Sequence, residues 1–375
     1  MKSWPIYFGA QFLTFLTLCA WVLPVRIENQ GDIVIKRHGK GDTGKILLML
    51  SAIPLFMLLA LRYQVGMDYN AYNYTYIRIS EYGFFETMPA EYIRWLGNGF
   101  IYFCKAIVLF AGSNFLWFHA VLAVLSIICL YIAIFKNSVL PLLSLYIYLC
   151  DGYYYILFNQ SRQGLAALII FVSYNYILEN KLRLFVITVI LASLIHPSAI
   201  IFLPAYFLSK VKFNVITFLS MIISGVLVLY LWQYVEWAIS LSRYSSYIDY
   251  NFEGQETTIL RFAYRSILMA FCLFFRKNVI KNYPKANCLY MLCGCAIIFH
   301  IISMRLYIIA RLIIYYYLGM LLLIPYVIKS IKKKSERITV TTVLIGVFAA
   351  LHALYFITRA DTLLGPFYTT FLGRI

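Results

Sequence analysis

Charge is what this 375-residue chain has least of: Asp, Glu, Lys and Arg together make 13% of it, against 63% hydrophobic residues. A water-soluble domain is about 25% charged. An ordinary soluble fold is therefore excluded, and no segment reads as an independent soluble domain. Also missing are the P-loop, Gly-x-Ser-x-Gly, His-Glu-x-x-His and Asp-x-Asp signatures. Their absence argues against an NTP-driven pump, a serine hydrolase and a metal-dependent nucleotide-sugar transferase. Eight cysteines are present, none in paired spacing within a polar loop, so neither a disulfide framework nor a zinc site is expected. The nearest to a metal motif, Cys288 to Cys295, lies in an apolar run without a nearby His or carboxylate and reads as packed free thiols. Residues 1–25 lack a basic leading region and an A-x-A site, and read as a membrane helix rather than a removable signal.

What the chain does have is apolar length, with a mean hydropathy of +0.80. Runs near 4–25, 115–135, 138–158, 213–233, 286–304, 306–328 and 338–358 can each cross about 30 Å of hydrocarbon at about 1.5 Å per residue. Shorter runs lie at 46–61, 163–178 and 258–275. The expectation is an all-α, polytopic integral membrane protein. It would be one transmembrane domain over residues 1–375, with about ten full spans and outer loops 62–98 and 234–257. The net charge of +17 then marks topology rather than nucleic acid. Placing the lysine clusters in the cytoplasm puts 19 of the 32 basic residues inside and the N-terminus outside. Residues 92–112 carry Arg94 and Lys105 and are expected as an outer amphipathic or re-entrant helix. Residues 184–208 are flanked by basic residues at both ends and interrupted by His196-Pro197. A short helical hairpin with His196 at its outward apex is the natural shape.

On this topology 14 of 16 lysines are cytoplasmic and 11 of 16 arginines lie on or near the outer side. The planar guanidinium fork matches phosphate oxygens, so an outer arginine cluster suits a phosphate-bearing ligand. Lipid-headgroup contact or pairing with outer carboxylates is the plainer explanation for most of them taken singly. Arg311 stands out because it lies about five residues inside its run, where a guanidinium requires a polar cavity or partner. Tyr307, Arg311 and Tyr315 would share one helical face. Arg162 sits in the polar cluster Asn159-Gln-Ser-Arg162-Gln163 at the outer end of another span. Asp68 and Tyr72 would fall on one side of a helix following Gly66, and a carboxylate framed by aromatic rings suits a saccharide. Equally, Asp68 can be a helix N-terminal carboxylate. His196 is the histidine placed for a role as base or donor; His38, His119, His300 and His352 show no constellation with another titratable group. The triplets Tyr153–Tyr155 and Tyr315–Tyr317 read as interface anchors.

Four blocks occur in order: Arg62-Tyr-x-Val-Gly66-x-Asp68-Tyr69-x-x-Tyr72; Arg162-Gln163-Gly-Leu-Ala; Ala192-Ser-Leu-Ile-His196-Pro-Ser198-Ala199; and Arg311-Leu-Ile-Ile-Tyr315. Together they resemble the EpsG-like branch of the Wzy-type polysaccharide polymerases, from about residue 45 to the Gly-Pro-Phe-Tyr at 365–368. Met67 stands where that family commonly has Thr. The resemblance implies a fold like that of GT-C-type membrane glycosyltransferases. It also implies a metal-independent enzyme of the bacterial cytoplasmic membrane, without cofactor. Such an enzyme polymerises O-antigen, capsule or exopolysaccharide on the periplasmic or outer face, with undecaprenyl-diphosphate-linked oligosaccharide as both donor and acceptor. A chain-length regulator and a flippase of the same pathway would be its partners. Arg162 and Arg311, with Arg62 or Arg243, would hold the diphosphate. Gln163, Tyr69, Tyr72 and Tyr315 would line the substrate site, and Asp68 or His196 would act on the acceptor hydroxyl. The base stays open among these two and Glu81, Glu86 and Glu91. An O-antigen ligase and a lipid-linked oligosaccharide flippase or transporter are the competing readings.

Overall fold

The structure, a computed structural model, describes residues 4–22, 24–29, 32–37, 42–241, 255–358, 369–370 and 373–374. Helix α1 (Trp4–Val22) leads into a hairpin of β1 (Pro24–Asn29) and β2 (Asp32–Arg37), then α2 (Asp42–Ala60). Next come α3 (Tyr69–Ser80), α4 (Ala90–Leu96), α5 (Asn98–Ala111), α6 (Phe115–Asn137), α7 (Pro141–Cys150), α8 (Tyr153–Asn159) and α9 (Ser161–Leu178). Helix α10 (Leu182–Ile195) runs into a 3-10 turn, Pro197–Phe202, and α11 (Ala205–Leu208). Then follow α12 (Val215–Tyr230), α13 (Trp232–Ser240), α14 (Gln255–Phe274), α15 (Arg276–Asn282) and α16 (Ala286–Ser303). A second 3-10 turn, Tyr307–Leu312, precedes α17 (Ile313–Tyr317), α18 (Met320–Ser330) and α19 (Lys334–Thr358). Strands β3 (Thr369–Thr370) and β4 (Gly373–Arg374) form a second small hairpin.

The chain is a polytopic helical membrane protein, with fewer unbroken spans than the apolar runs suggest. Among the described residues, four helices (α2, α6, α16 and α19) are long and apolar enough to cross a bilayer alone. The number rises to seven if the bent pairs α4–α5, α12–α13 and 308–317 with α18 each count as one. The expected ten therefore contract, and the breaks have local causes. Run 138–158 is split between α7 and α8 by Asp151-Gly152, with Gly152 at φ 83°, a conformation that glycine adopts freely. Run 306–328 begins as a 3-10 turn and bends by 41° before α18.

Two irregular elements fall where the sequence departs from simple alternation, and the second is the expected hairpin. Helices α4 and α5 meet at 101° around Gly97, giving residues 92–112 a broken path. The hairpin forms as α10 and the 197–208 segment, with His196 extended at φ −143° between them. Lys210 Nζ donates to the Asn180 side chain, so both hairpin ends lie on one side.

Apolar burial does not drive helices together within lipid, so packing and polar contacts must. The tyrosines supply many of these. Tyr154 OH donates to the Leu55 carbonyl (2.6 Å), Tyr290 OH to Cys272 (2.8 Å) and Tyr316 OH to Ile201 (2.7 Å). The triplets 153–155 and 315–317 are all buried, so they are core staples rather than interface anchors. Broken helices expose carbonyls that can accept, as when Tyr174 OH bonds both Tyr315 and Tyr316 carbonyls ahead of the α17–α18 break. Helix α16 is central, 78% of its span buried, whereas α19 at 22% is peripheral.

The hairpin apex is held against α5 by a close crossing at Gly99. A Cβ there would come 2.5 Å from the Leu194 carbonyl oxygen and 2.7 Å from its Cβ. Gly99→Ala is expected to cost about 1–3 kcal/mol and lower the Tm of the detergent-solubilised protein. An unchanged Tm would mean the crossing is loose.

Candidate active site

Five chain segments meet at the break between α8 and α9. The loop after α2 docks there first. Gly66 at φ 107° presses on α8 so closely that a Cβ would lie 2.3 Å from the Phe158 carbonyl oxygen, and Met67 N–H donates to Asn159 Oδ1 at 2.7 Å. The other side of the loop pairs with the C-terminal segment: Tyr63 N–H donates to the Thr369 carbonyl at 2.8 Å, and Arg62 bridges to Thr370. These contacts set α3, and with it Asp68 and Tyr72, beside the start of α9.

Arg162 occupies the first turn of α9 and is 6% exposed. Its guanidinium donates to the Leu96 carbonyl, lies 3.5 Å from the Trp95 carbonyl and stacks 4.6 Å from the Phe100 ring centroid. Those carbonyls are available because α4 ends at Gly97. Among the described residues no carboxylate pairs with Arg162, and its Nε is buried without a partner. Dipoles and a ring face hold this cation, but no countercharge neutralises it. Tyr72 lies against it: burial pushes its phenol up, and Arg162 is the foremost charge opposing that shift.

Gln163, the next residue, donates through Nε2 to the Arg311 carbonyl at 2.5 Å. This joins the Arg311 segment to α9. Arg311 lies in the 3-10 turn Tyr307–Leu312, not within a continuous α-helix. Arg311 and Tyr315 therefore stand on two successive elements, the 3-10 turn and α17, rather than on one continuous helix, and the Tyr307 side chain of that expected face lies outside the described residues. Arg311 is half-buried, and its Nε has no partner among the described residues.

Asp68 stands at the N-terminus of α3, yet its side chain makes no capping hydrogen bond. The position suits the helix dipole, but no cap hydrogen bond ties the carboxylate down. Burial raises the Asp68 pKa and the nearby Arg311 charge lowers it, with burial the larger effect. The two groups influence each other without closing an ion pair.

On the opposite side the hairpin apex supplies a hydrogen-bonded chain. His196 Nδ1 and Ser198 Oγ are 2.7 Å apart, and Ser198 Oγ and Tyr315 OH are 2.8 Å apart. Tyr315 in turn lies within electrostatic range of Arg162. Asp68, Tyr72, Arg162, Gln163, Arg311, His196 and Tyr315 thus belong to one neighbourhood, although they come from four separate sequence blocks.

Two proposed ligand contacts sit deeper. Arg62 is 2% exposed, with Nη2 2.9 Å from Ser161 Oγ and 3.2 Å from His119 Nδ1, under the Phe158 ring. Tyr69 is buried and stacked on His119 at 5.0 Å. Both brace the loop–α9 junction. Arg243 lies outside the described residues, as do His38 and part of loop 234–257. Of the other carboxylates considered, Glu81 pairs with Arg78 at 2.9 Å and Glu86 accepts from Gly83 N–H at 2.9 Å.

Three features were not anticipated. Ser198 links His196 to Tyr315. His119 and His300, expected to stand apart, each contact an arginine, Arg62 at 3.2 Å and Arg265 at 3.0 Å. Asp151 and Arg265 form a buried pair at 3.7 Å, with Tyr264 OH donating to Asp151 and the Tyr317 ring 4.2 Å from the guanidinium. Opposite charges within two apolar runs were the available signal, because such groups seek each other away from water. The pair shows what a neutralised intramembrane arginine looks like here, and Arg162 is not one.

The EpsG family model matches residues 45–369, a span that includes all four blocks. No curated protein and no solved structure matches the chain.

The Asp68–Arg311 relation is testable without an activity assay. Asp68 should titrate above the ordinary value of 3.8, and losing the Arg311 charge removes the effect that lowers it. In Arg311→Gln protein the Asp68 carboxyl band, identified by difference infrared spectroscopy against Asp68→Asn, should therefore titrate at higher pH than in wild type. An unchanged or lower midpoint would separate the two residues.

Proposed function

The chain belongs to the EpsG family, membership that supports a polysaccharide-polymerase role, and on that premise we propose the following reaction. The protein joins oligosaccharide repeat units carried on undecaprenyl diphosphate into O-antigen, capsule or exopolysaccharide. The site faces the periplasm or exterior of the bacterial cytoplasmic membrane. The observation that carries this reading is Arg162: a buried guanidinium, fixed by carbonyls and a ring, with no carboxylate partner among the described residues, tied through Gln163 to the Arg311 segment and beside a sugar-compatible Asp–Tyr face.

In the proposed step the acceptor hydroxyl oxygen attacks the anomeric carbon of the donor glycan. The bond from that carbon to the diphosphate oxygen breaks, and the lipid diphosphate leaves with the electron pair. Arg162 and Arg311 hold the diphosphate and stabilise the charge it gains, a preorganised role because the Arg162 guanidinium is already fixed. Asp68 takes the hydroxyl proton; its raised pKa favours that transfer over an ordinary exposed carboxylate, provided it is ionised at the working pH. Tyr72 offers its ring to the sugar. The chain His196–Ser198–Tyr315 orients the acceptor from the other side. Arg62 and Tyr69 act indirectly, by holding the loop that carries Asp68.

With purified protein and lipid-linked repeats, Arg162→Ala and Arg311→Ala should each slow transfer by roughly 10²–10³-fold while eluting as wild type. Arg162→Lys should recover little, since a point charge cannot copy the fork. Wild-type rates in either alanine variant would overturn the assignment. In cells, deletion should leave single-repeat product on glycan gels. Loss of attachment would instead indicate a ligase, and loss of all surface repeats a flippase.

A further inference from the structure

Far from the α8–α9 break, a groove of about 580 Å³ opens between α1, α7 and α19. Its walls are Phe15 and Trp21 of α1, Leu140, Leu143 and Tyr146 around α7, and Ile345 of α19. This volume is typical of a ligand cleft (roughly 300–1,000 Å³). One lining residue is charged: Lys329, in the last turn of α18. It is exposed, and no described carboxylate pairs with it.

A second cation reaches the same mouth. Thr341 and Ile345 line the groove, and Arg337 lies one turn earlier, its carbonyl accepting from Thr341 Oγ1 at 2.7 Å. Residues 337, 341 and 345 share a helix face by their four-residue spacing, which puts Arg337 one turn beyond the lining residue Thr341 on the face that borders the groove. Residues 329–337 hold five basic residues and one acid. That acid, Glu336, is taken by Lys333 at 3.3 Å, leaving Lys329 and Arg337 without a carboxylate partner among the described residues. Trp21, ring-on-edge with Phe135 at 5.4 Å, closes the groove at the α1 end. An apolar slot within a membrane protein, with two cations at one end, has the shape and charge of one lipid chain beneath one anionic headgroup.

We propose that this groove is a binding site for an anionic phospholipid, drawn from the leaflet on the lysine-rich face. An acyl chain lies along α7 between α1 and α19, and the headgroup phosphate sits between Lys329 and Arg337. The site lies where the end of α18 meets α19. It is independent of the polymerase reading, since none of its residues belongs to the Arg162–Arg311 neighbourhood.

Native mass spectrometry of the whole protein, purified with equimolar phosphatidylglycerol and phosphatidylcholine, tests this. Wild type should retain phosphatidylglycerol roughly tenfold in preference. Lys329→Gln with Arg337→Gln should bring the ratio to parity, whereas Lys332→Gln with Lys334→Gln should keep the preference. Ile345→Trp, which fills the groove and leaves both cations, should abolish retention. Parity in wild type would overturn the proposal. So would a preference lost equally in the Lys332/Lys334 variant, which means diffuse surface charge, or retention unaffected by Ile345→Trp, which means no chain occupies the groove.

Discussion

The site depends on how one buried cation is tolerated. Arg162 lies at the start of a helix whose other faces are buried in protein, where an uncompensated guanidinium is costly. Among the described residues that cost is met without a carboxylate: α4 stops at Gly97 and directs its last carbonyls at the guanidinium, and the Phe100 ring lies beneath it. A countercharge would have silenced the group, as Asp151 does for Arg265. Carbonyls and a ring face fix its position and leave its positive field available to an anion.

Much of the surrounding architecture follows from this arrangement. The break at Gly97 that frees the carbonyls also turns α5 across the hairpin, where Gly99 allows contact with Leu194. That crossing brings His196 and Ser198 to Tyr315. Gly66 seats the loop on Phe158 and Asn159, which places Asp68 over the same spot. Gly66 and Gly99 stand at close backbone approaches and Gly97 turns the chain at φ 79°, so the site is assembled from irregular backbone buried in protein, the circumstance in which a membrane tolerates it.

Sequence showed the class of fold and most of the site's members, and it missed what depends on contacts between distant segments. The helical membrane character and the hairpin at His196-Pro197 were legible because composition and proline act locally. The breaks at Gly152 and near Gly319 were not, since an apolar run has the same composition whether it is one helix or two. Arg162, Gln163, Arg311, Asp68, Tyr72, His196 and Tyr315 were found as candidates. Arg62 and Tyr69 looked the same in sequence, and only burial against His119 and Ser161 separates bracing residues from those beside the Arg162–Arg311 pair. The buried tyrosine triplets mislead for a related reason. A Tyr near a helix end suits a lipid interface and an interhelical carbonyl equally well, and the partner carbonyl lies more than a hundred residues away in the chain, as for Tyr316 and Ile201.

The central claim is that the two neighbouring arginines form a diphosphate site. Electron cryomicroscopy of the protein with a bound lipid-diphosphate oligosaccharide tests it most directly. The account predicts diphosphate oxygens within hydrogen-bonding distance of both Arg162 and Arg311, and the first sugar against Tyr72 and Asp68. A diphosphate bound elsewhere, with both guanidiniums still contacting only protein, would contradict it.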